Sequence, residues 1–381
     1  MQVYKFGGAS VKDAPSVKNV ATILAANPSK DKVVVVSAMG KSTNELEKVV
    51  NLYIAGDQSW QTVLDDLHKK HLAIINDLFD GRGADAAEAV GKIIAKAKAF
   101  LLQDHSRNYN FVYDQIVSVG EYISTTIVST YCNSQGIKNT LLDAKECIHT
   151  DNAYTEGKID WKKTEKAIND IIPRLTQDGF VITQGFIGST PEDFTTTLGR
   201  EGSDYTAAIF SYALNAERMT RDTPKTIKPL QNKNIPLEVR SFIDHSKRGS
   251  IIAATANTSF LPPVIILKRE QTLLSFSAKD FSFIAEDHLS KVFSVFAAHR
   301  LRINMMQNAA ISFSICIDTK KEKLENILEE LRNDFQIVVN ENLTLLTIRH
   351  YNTGIIDRLT KDKDILLRQI SRQTIQVLMR E

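Results

Sequence analysis

Four short stretches hold residue types that could do chemistry on a small charged molecule. Lys5 stands inside the run Val3-Tyr-Lys-Phe6, directly ahead of Gly7 and Gly8. A strand that ends in two glycines before a helix gathers backbone N–H groups toward a phosphate. The lysine beside them supplies the matching positive charge. Turns of this kind also arise for steric reasons alone, and this stretch by itself leaves both readings open. Ser37 and Thr43 flank a polar, glycine-containing loop, where they read either as helix caps or as ligand contacts. Glu121 follows Ser118-Val-Gly120 at a helix start. There a carboxylate complements the helix dipole, and the glycine lets a ligand come close to the backbone. Arg200 lies between Gly199 and Gly202 and can grip a carboxylate bidentately. Asp204, at the start of the next helix, reads as a cap or as the partner that orients a phosphate-binding Lys5.

The elements that must position these residues are legible nearby. Val3 to Phe6 is a short strand. Asp13 to Ala26 places Val17, Val20, Ala21 and Leu24 on one helix face, with Pro15 tolerated in the first turn. Four β-branched residues in Asp31–Ser37 mark a strand buried on both faces, as in a parallel sheet. The loop at its carboxyl end is where α/β proteins bind ligands. A helix with Leu46, Val49, Val50 and Tyr53 follows, then two helical stretches from Ser59 to about Asp104 broken at Gly81-Arg-Gly83. Phe180–Ile187 is expected as one buried strand, and Ser203 and Asp204 open a helix with Ala207, Ala208, Ile209 and Leu214 inward.

The chain has 381 residues, 43% hydrophobic and 24% charged, enough for two domains or three. Its net charge of +2 gives no electrostatic case for nucleic acid. Three dispersed cysteines, Cys132, Cys147 and Cys316, form neither a zinc spacing nor a disulfide framework. With no signal peptide and no apolar run of membrane length, the expectation is a cytoplasmic protein without a membrane partner.

Taken together, Lys5-Phe-Gly-Gly-Ala-Ser10, Ser37-Ala-Met-Gly-Lys-Ser-Thr-Asn44, Ser118-Val-Gly-Glu121 and Thr197-Leu-Gly-Arg-Glu-Gly-Ser-Asp204 resemble, in this order, the signature set of aspartate kinases. The resemblance covers nearly the whole chain. It departs at Ala9, where the family usually has threonine, and at Glu201, where it usually has glycine. The latter adds a negative charge near the phosphates.

The resemblance implies the amino-acid kinase fold, an α/β three-layer αβα sandwich with a mainly parallel sheet, over residues 1–260. It implies ATP-dependent phosphorylation of the L-aspartate side chain, with Lys5 and Asp204 catalytic. Lys5, Phe6, Gly7, Gly8 and Ser10 would form the phosphate and ATP wall. Ser37, Thr43, Glu121, Arg200 and Ser203 would bind aspartate: Arg200 its α-carboxylate, Glu121 and Thr43 its amino group and neighbouring polar atoms. Mg²⁺ would arrive on the nucleotide rather than on a protein metal site. Such a reaction needs positioning and charge neutralisation more than covalent help.

One departure from the resemblance is large. After Asn215-Ala-Glu-Arg-Met219 the family carries several dozen residues that hold the nucleotide. Here the chain passes through Thr223 directly to Pro224-Lys-Thr-Ile-Lys-Pro-Leu-Gln231, which again follows the family closely. Either the numbering closes over an omitted nucleotide loop, or the chain is truly shorter and cannot hold ATP in the family's way. The first is preferred, because losing part of a central parallel sheet would strand backbone groups that must be paired. A second function class follows from the second account: a catalytically impaired homologue that senses amino acids or dimerises.

Past Pro262-Pro263 the pattern changes. Strands are expected at 264–268, 272–278, 311–318 and near 336–339, with helices at 283–300 and 322–333. A shorter repeat follows: strand 343–349, helix 353–360, strands 365–370 and 374–379. Alternation of Ile311, Phe313, Ile315 and Ile317 with polar residues predicts a strand buried on one face. This region, 264–381, resembles the tandem ACT modules of aspartate kinases. It implies an amino-acid effector, lysine or threonine, with Asp287 and Asn304 as candidate contacts, and a homodimer through these modules. Asn308-Ala309 replaces the family's usual Ser-Glu, which leaves a purely dimerising module open. With the end at Glu381, no fused homoserine dehydrogenase is expected.

Overall fold

The computed structural model describes residues 1–103, 106, 108–221, 228–253, 262–279, 283–299, 301–318 and 321–380. The chain divides into two compact units, Met1–Thr255 and Ala256–Glu381.

The first unit runs β1 (Gln2–Phe6), α1 (Ala14–Ala25), β2 (Lys32–Val36), α2 (Ser42–Ile54), α3 (Trp60–Phe79), α4 (Ala84–Gln103), α5 (Tyr109–Val117) and α6 (Val119–Ser134). It continues with β3 (Asn139–Leu142), α7 (Trp161–Leu175), β4 (Phe180–Gln184), β5 (Ile187–Ser189), β6 (Thr195–Thr197) and α8 (Gly202–Ala213). β7 (Arg218–Arg221), α9 (Lys228–Asn232), β8 (Leu237–Val239) and β9 (Ser250–Ile252) complete it. Seven strands form one sheet in the order β3-β4-β2-β1-β7-β8-β9. Every neighbouring pair is parallel except β8 with β9.

The valine run explains the layering. Val34 and Val36 enter the core shared with α1 to α6, while Val33 and Val35 enter the core shared with α7 and α8. A strand with helices on both faces has no solvent side, so its residues need not alternate in polarity. β1 repeats the arrangement: Tyr4 and Phe6 join the first core and Val3 the second.

One expectation needs correction here. Phe180–Ile187 is not one strand: Phe186 has φ +71°, and the chain turns out of the sheet at Gly185-Phe186. Ile187–Ser189 then pairs with Thr195–Thr197 as a separate antiparallel hairpin. The junction at 222–227 lies outside the described residues; ahead of it, β7 pairs with β1 on one side and with β8 on the other.

The second unit runs β10 (Val264–Ala278), α10 (Glu286–Ala298), β11 (Ile303–Asn308), β12 (Phe313–Asp318), α11 (Lys321–Leu331), β13 (Phe335–Arg349), α12 (Thr353–Thr360), β14 (Asp364–Ile370) and β15 (Thr374–Arg380). Its sheet order is β11-β12-β10-β13-β15-β14, all antiparallel. The strands expected separately at 264–268 and 272–278 are one strand of 15 residues, and so are those at 336–339 and 343–349. Register shifts between Lys268 and Leu273 mark the junction, with Glu270 and Asn342 in left-handed conformation. A bulge bends a strand without ending it.

Each half of this sheet is a small module. The first uses residues 271–278 of β10, β11, β12 and the start of β13 under α10 and α11. The second uses the rest of β13, β14 and β15 under α12, with residues 264–268 of β10 as its fourth strand. α10 begins at Glu286 rather than 283, and Ile311 is exposed ahead of β12. β12 is also not buried on one face only. Cys316 is fully buried with Leu273, Met305, Leu343, Leu345 and Leu378, because the two modules cover each other's open faces there. Among the described residues no helix is long and apolar enough to cross a membrane.

Candidate active site

The carboxyl ends of β1 and β2 and the amino end of α8 surround one cavity of about 780 Å³. Lys5, Gly8, Ser37, Thr43, Glu121, Arg200, Ser203 and Asp204 all line it. Residues up to 199 positions apart in sequence thus converge where parallel-sheet proteins place ligands. Phe6, Gly7 and Ser10 do not line it. The Phe6 side chain packs in the first core, against Phe242, and Ser10 is buried in the short 3-10 turn Gly8–Val11, its N–H donating to the Gly7 carbonyl.

Two turns are pressed together at the cavity floor. The Gly40 N–H donates to the Gly8 carbonyl at 3.0 Å, and the Ser37 N–H to the Phe6 carbonyl at 3.0 Å. A Cβ on Gly8 would sit 2.6 Å from the Ala38 carbonyl oxygen. Glycine is therefore required for backbone approach, independently of any ligand. Neither Ser37 nor Thr43 caps α2, whose N-cap is Lys41 without a side-chain bond. Both side chains are left to the cavity.

Lys5 projects from β1 to the α8 side and forms an ion pair with Asp204, Nζ to Oδ1 3.0 Å, both groups nearly buried. Asp204 is in the first turn of α8 but does not cap it, since the N-cap is Glu201. Glu201 adopts φ +65° in the turn that also carries Gly199 at φ +73°. That conformation suits glycine and costs a side-chain-bearing residue about 1 kcal/mol. Arg200, between them, is exposed at the cavity rim.

Glu121 is buried at the start of α6. Burial pushes its carboxyl up to about 8, against the Ala38 N–H and the Lys5 ammonium, which pull it down. Its Oε2 has no hydrogen-bond partner among the described residues. An orphaned carboxylate oxygen in a cavity is costly unless a donor arrives with the ligand.

Sequence reading passed over α5 and with it Asp114, which is fully buried. Asp114 Oδ2 accepts the Thr155 and Thr197 N–H groups at 2.9 Å each, and Oδ1 accepts the Thr197 hydroxyl at 2.7 Å. Thr155 and Thr197 line the cavity, so Asp114 ties two of its walls together. Burial pushes its carboxyl up to about 6 although these hydrogen bonds oppose the shift. Arg221, also unmarked by any motif, donates to Asp204 Oδ2 at 2.9 Å. A second cavity of about 410 Å³ lies on the α1 side of the sheet, lined by Tyr4, Phe242, Arg218, Glu238 and Arg240. Of the three guanidiniums lining it, those of Arg218 and Arg240 are engaged with Glu238 and that of Arg221 with Asp204.

A family model described as the amino acid kinase family matches residues 1–221, more than half of the chain. The chain belongs to the amino acid kinase family. Lysine-sensitive aspartokinase 3 of Escherichia coli is 26% identical to this amino acid kinase over 395 residues, covering 91% of this chain and 86% of that protein. The alignment is longer than the chain's own 381 residues and must open gaps in it. The chloroplastic bifunctional aspartokinase/homoserine dehydrogenase 1 of Zea mays is 28% identical over 295 residues, 66% of this chain but only 32% of that protein. The fold matches that of E. coli aspartokinase III in complex with aspartate and ADP, with a TM-score of 0.80 at 23% identity over 100% of this chain and 96% of the other. It also matches Clostridium acetobutylicum aspartate kinase, with a TM-score of 0.77 at 20% identity and the same coverage.

Proposed function

We propose that this amino acid kinase transfers a phosphoryl group from ATP to the side-chain carboxylate of L-aspartate. The observation that carries the reading is the pairing, in one cavity, of a buried Lys5–Asp204 ion pair with the orphaned Glu121 oxygen. The first suits a phosphoryl group and the second an ammonium group. The aspartokinase relatives support the same acceptor.

In this reading Arg200 takes the α-carboxylate, Glu121 and Thr43 the α-ammonium end, and Ser37 and Ser203 line the path of the attacking carboxylate. Lys5 neutralises the transferring phosphoryl group, Asp204 orients Lys5, and Gly8 lines the cavity on the phosphate side. The acceptor is already a nucleophile at neutral pH, so positioning and charge stabilisation supply the acceleration. Among the described residues no group of three or more acidic, histidine or cysteine side chains could hold a metal. Mg²⁺ bound to the nucleotide would offset phosphate charge.

The second unit is proposed as a regulatory region taking lysine or threonine and pairing two copies of the chain. E. coli aspartokinase III is known in complex with lysine and aspartate. Val264 to Leu267, all exposed, form a strand half whose sheet partner among the described residues is β13 alone, leaving an apolar edge for a second copy. Asn304 is held in a network with Lys268, Gln271 and Asp318, whereas Asp287 is exposed in the first turn of α10.

The test is aspartyl-hydroxamate formation with ATP, Mg²⁺ and aspartate. Activity is expected, with Arg200→Ala raising KM for aspartate and Lys5→Ala lowering kcat. A chain that neither forms hydroxamate nor binds aspartate in calorimetry overturns the reading.

A further inference from the structure

We propose that Arg221 is a positioning residue of the phosphoryl-transfer site, holding one oxygen of Asp204 so that Lys5 is bound through the other alone. The inference rests on the kinase reading of the cavity. β1 and β7 are adjacent parallel strands, and Lys5 and Arg221 are register partners at their carboxyl ends. Both side chains reach the same carboxylate: Lys5 meets Oδ1 at 3.0 Å and Arg221 Nη2 meets Oδ2 at 2.9 Å. The Arg221 side chain is fully buried and lines the smaller cavity on the α1 side but not the one that holds Glu121 and Arg200, so it reaches the phosphoryl-transfer site through Asp204.

The consequence is electrostatic. A lysine that alone pairs with a buried carboxylate is neutralised by it and is drawn away from an incoming phosphate. Dividing the carboxylate between two cations leaves the ammonium more of its field, and the guanidinium fixes the carboxylate plane. Lys5 can then turn to a phosphoryl oxygen without abandoning an unpaired buried Asp204, because Arg221 retains it.

The experiment is a double-mutant cycle on the full chain, read by inorganic pyrophosphate binding in calorimetry and by the kinetics of hydroxamate formation. Arg221→Met is expected to weaken pyrophosphate about 10-fold. It should lower kcat and leave KM for aspartate unchanged, while Arg221→Lys recovers most of the loss. In an Asp204→Asn background, Arg221→Met should add almost nothing, since its effect passes through that carboxylate. If Arg221→Met does not fold, Arg221→Gln, of similar length and uncharged, takes its place in the cycle. An equal loss in both backgrounds, a loss confined to thermal stability, or no pyrophosphate binding by the unaltered chain overturns the proposal. Arg221-dependent pyrophosphate binding without hydroxamate formation supports it while removing aspartate as the acceptor.

Discussion

Asp114 holds Thr197 twice, by its backbone N–H at 2.9 Å and by its hydroxyl at 2.7 Å, across 83 residues of sequence. Because Oδ2 also accepts the Thr155 N–H, Asp114→Ala strips acceptors from one buried and one half-buried backbone donor. A loss of about 2 to 4 kcal/mol is expected in urea unfolding.

Asp114→Asn separates the hydrogen bonds from the charge. The folded-state value of about 6 lies above the ordinary 3.8. The group's stabilising contribution is therefore complete below 3.8 and is lost as pH rises through about 6. Asparagine does not ionise, so the melting temperature of the variant minus that of the unaltered chain should grow between pH 4 and pH 7. A difference that shrinks over this range would refute the burial account.

Glu121 obeys the same sign over a different window. Its value of about 8 means that at pH 7 the free protein holds it mostly protonated. Binding an ammonium group there should expel a proton, measurable as a dependence of calorimetric heat on the buffer's ionisation enthalpy. Glu121→Gln should melt higher than the unaltered chain at pH 8.5, where the parent carries a buried charge, and should bind aspartate more weakly. Tighter aspartate binding in this variant would contradict the assignment.

Glu201 lines the cavity with φ +65°. Glycine relieves the left-handed strain, worth about 1 kcal/mol, but adds unfolded-state entropy of similar size. Stability of Glu201→Gly should thus change by less than about 1 kcal/mol. Loss of the carboxylate should tighten pyrophosphate roughly 3- to 10-fold at low ionic strength, with the gain fading as salt screens it. A gain that persists in high salt would point to shape instead of charge.

Gly185 follows β4 and faces the start of α8. A Cβ there would fall 2.4 Å from Ser203 Cβ and 2.7 Å from its Cα. Ser203 Cα and the Cβ fixed to it cannot swing aside as a hydroxyl could, so Gly185→Ala should cost about 2 kcal/mol or more. It should also weaken pyrophosphate by displacing Asp204 next door. Unchanged urea unfolding would show that α8 can slide freely on the sheet.

What could be seen in the sequence was short-range. The four valines of β2, the glycines at 7, 8, 199 and 202, and the charged residues beside them announce themselves within a few positions. Asp114 does not, because it lies mid-helix in α5 and its partners, a loop residue and the end of β6, are 41 and 83 residues away. Arg221 is meaningful only through its register with Lys5, which follows from strand order and not from spacing. Phe186 hides a break in β4–β5, since a left-handed phenylalanine carries no local mark. The opposite error occurred in β10 and β13, where polar residues at 269–271 and 340–342 read as strand ends although the strands continue through them.

That continuity has a consequence for how the chain is made. Residues 264–268 leave the ribosome before the first C-terminal module, yet their sheet partners are 345–349. The outer strand of the second module must wait, solvent-exposed and apolar, while nearly eighty further residues are synthesised. The module begun first is finished last, and a nascent chain halted before Leu345 exposes Val264-Ile-Ile-Leu267 to any chaperone that reads hydrophobic β-strands.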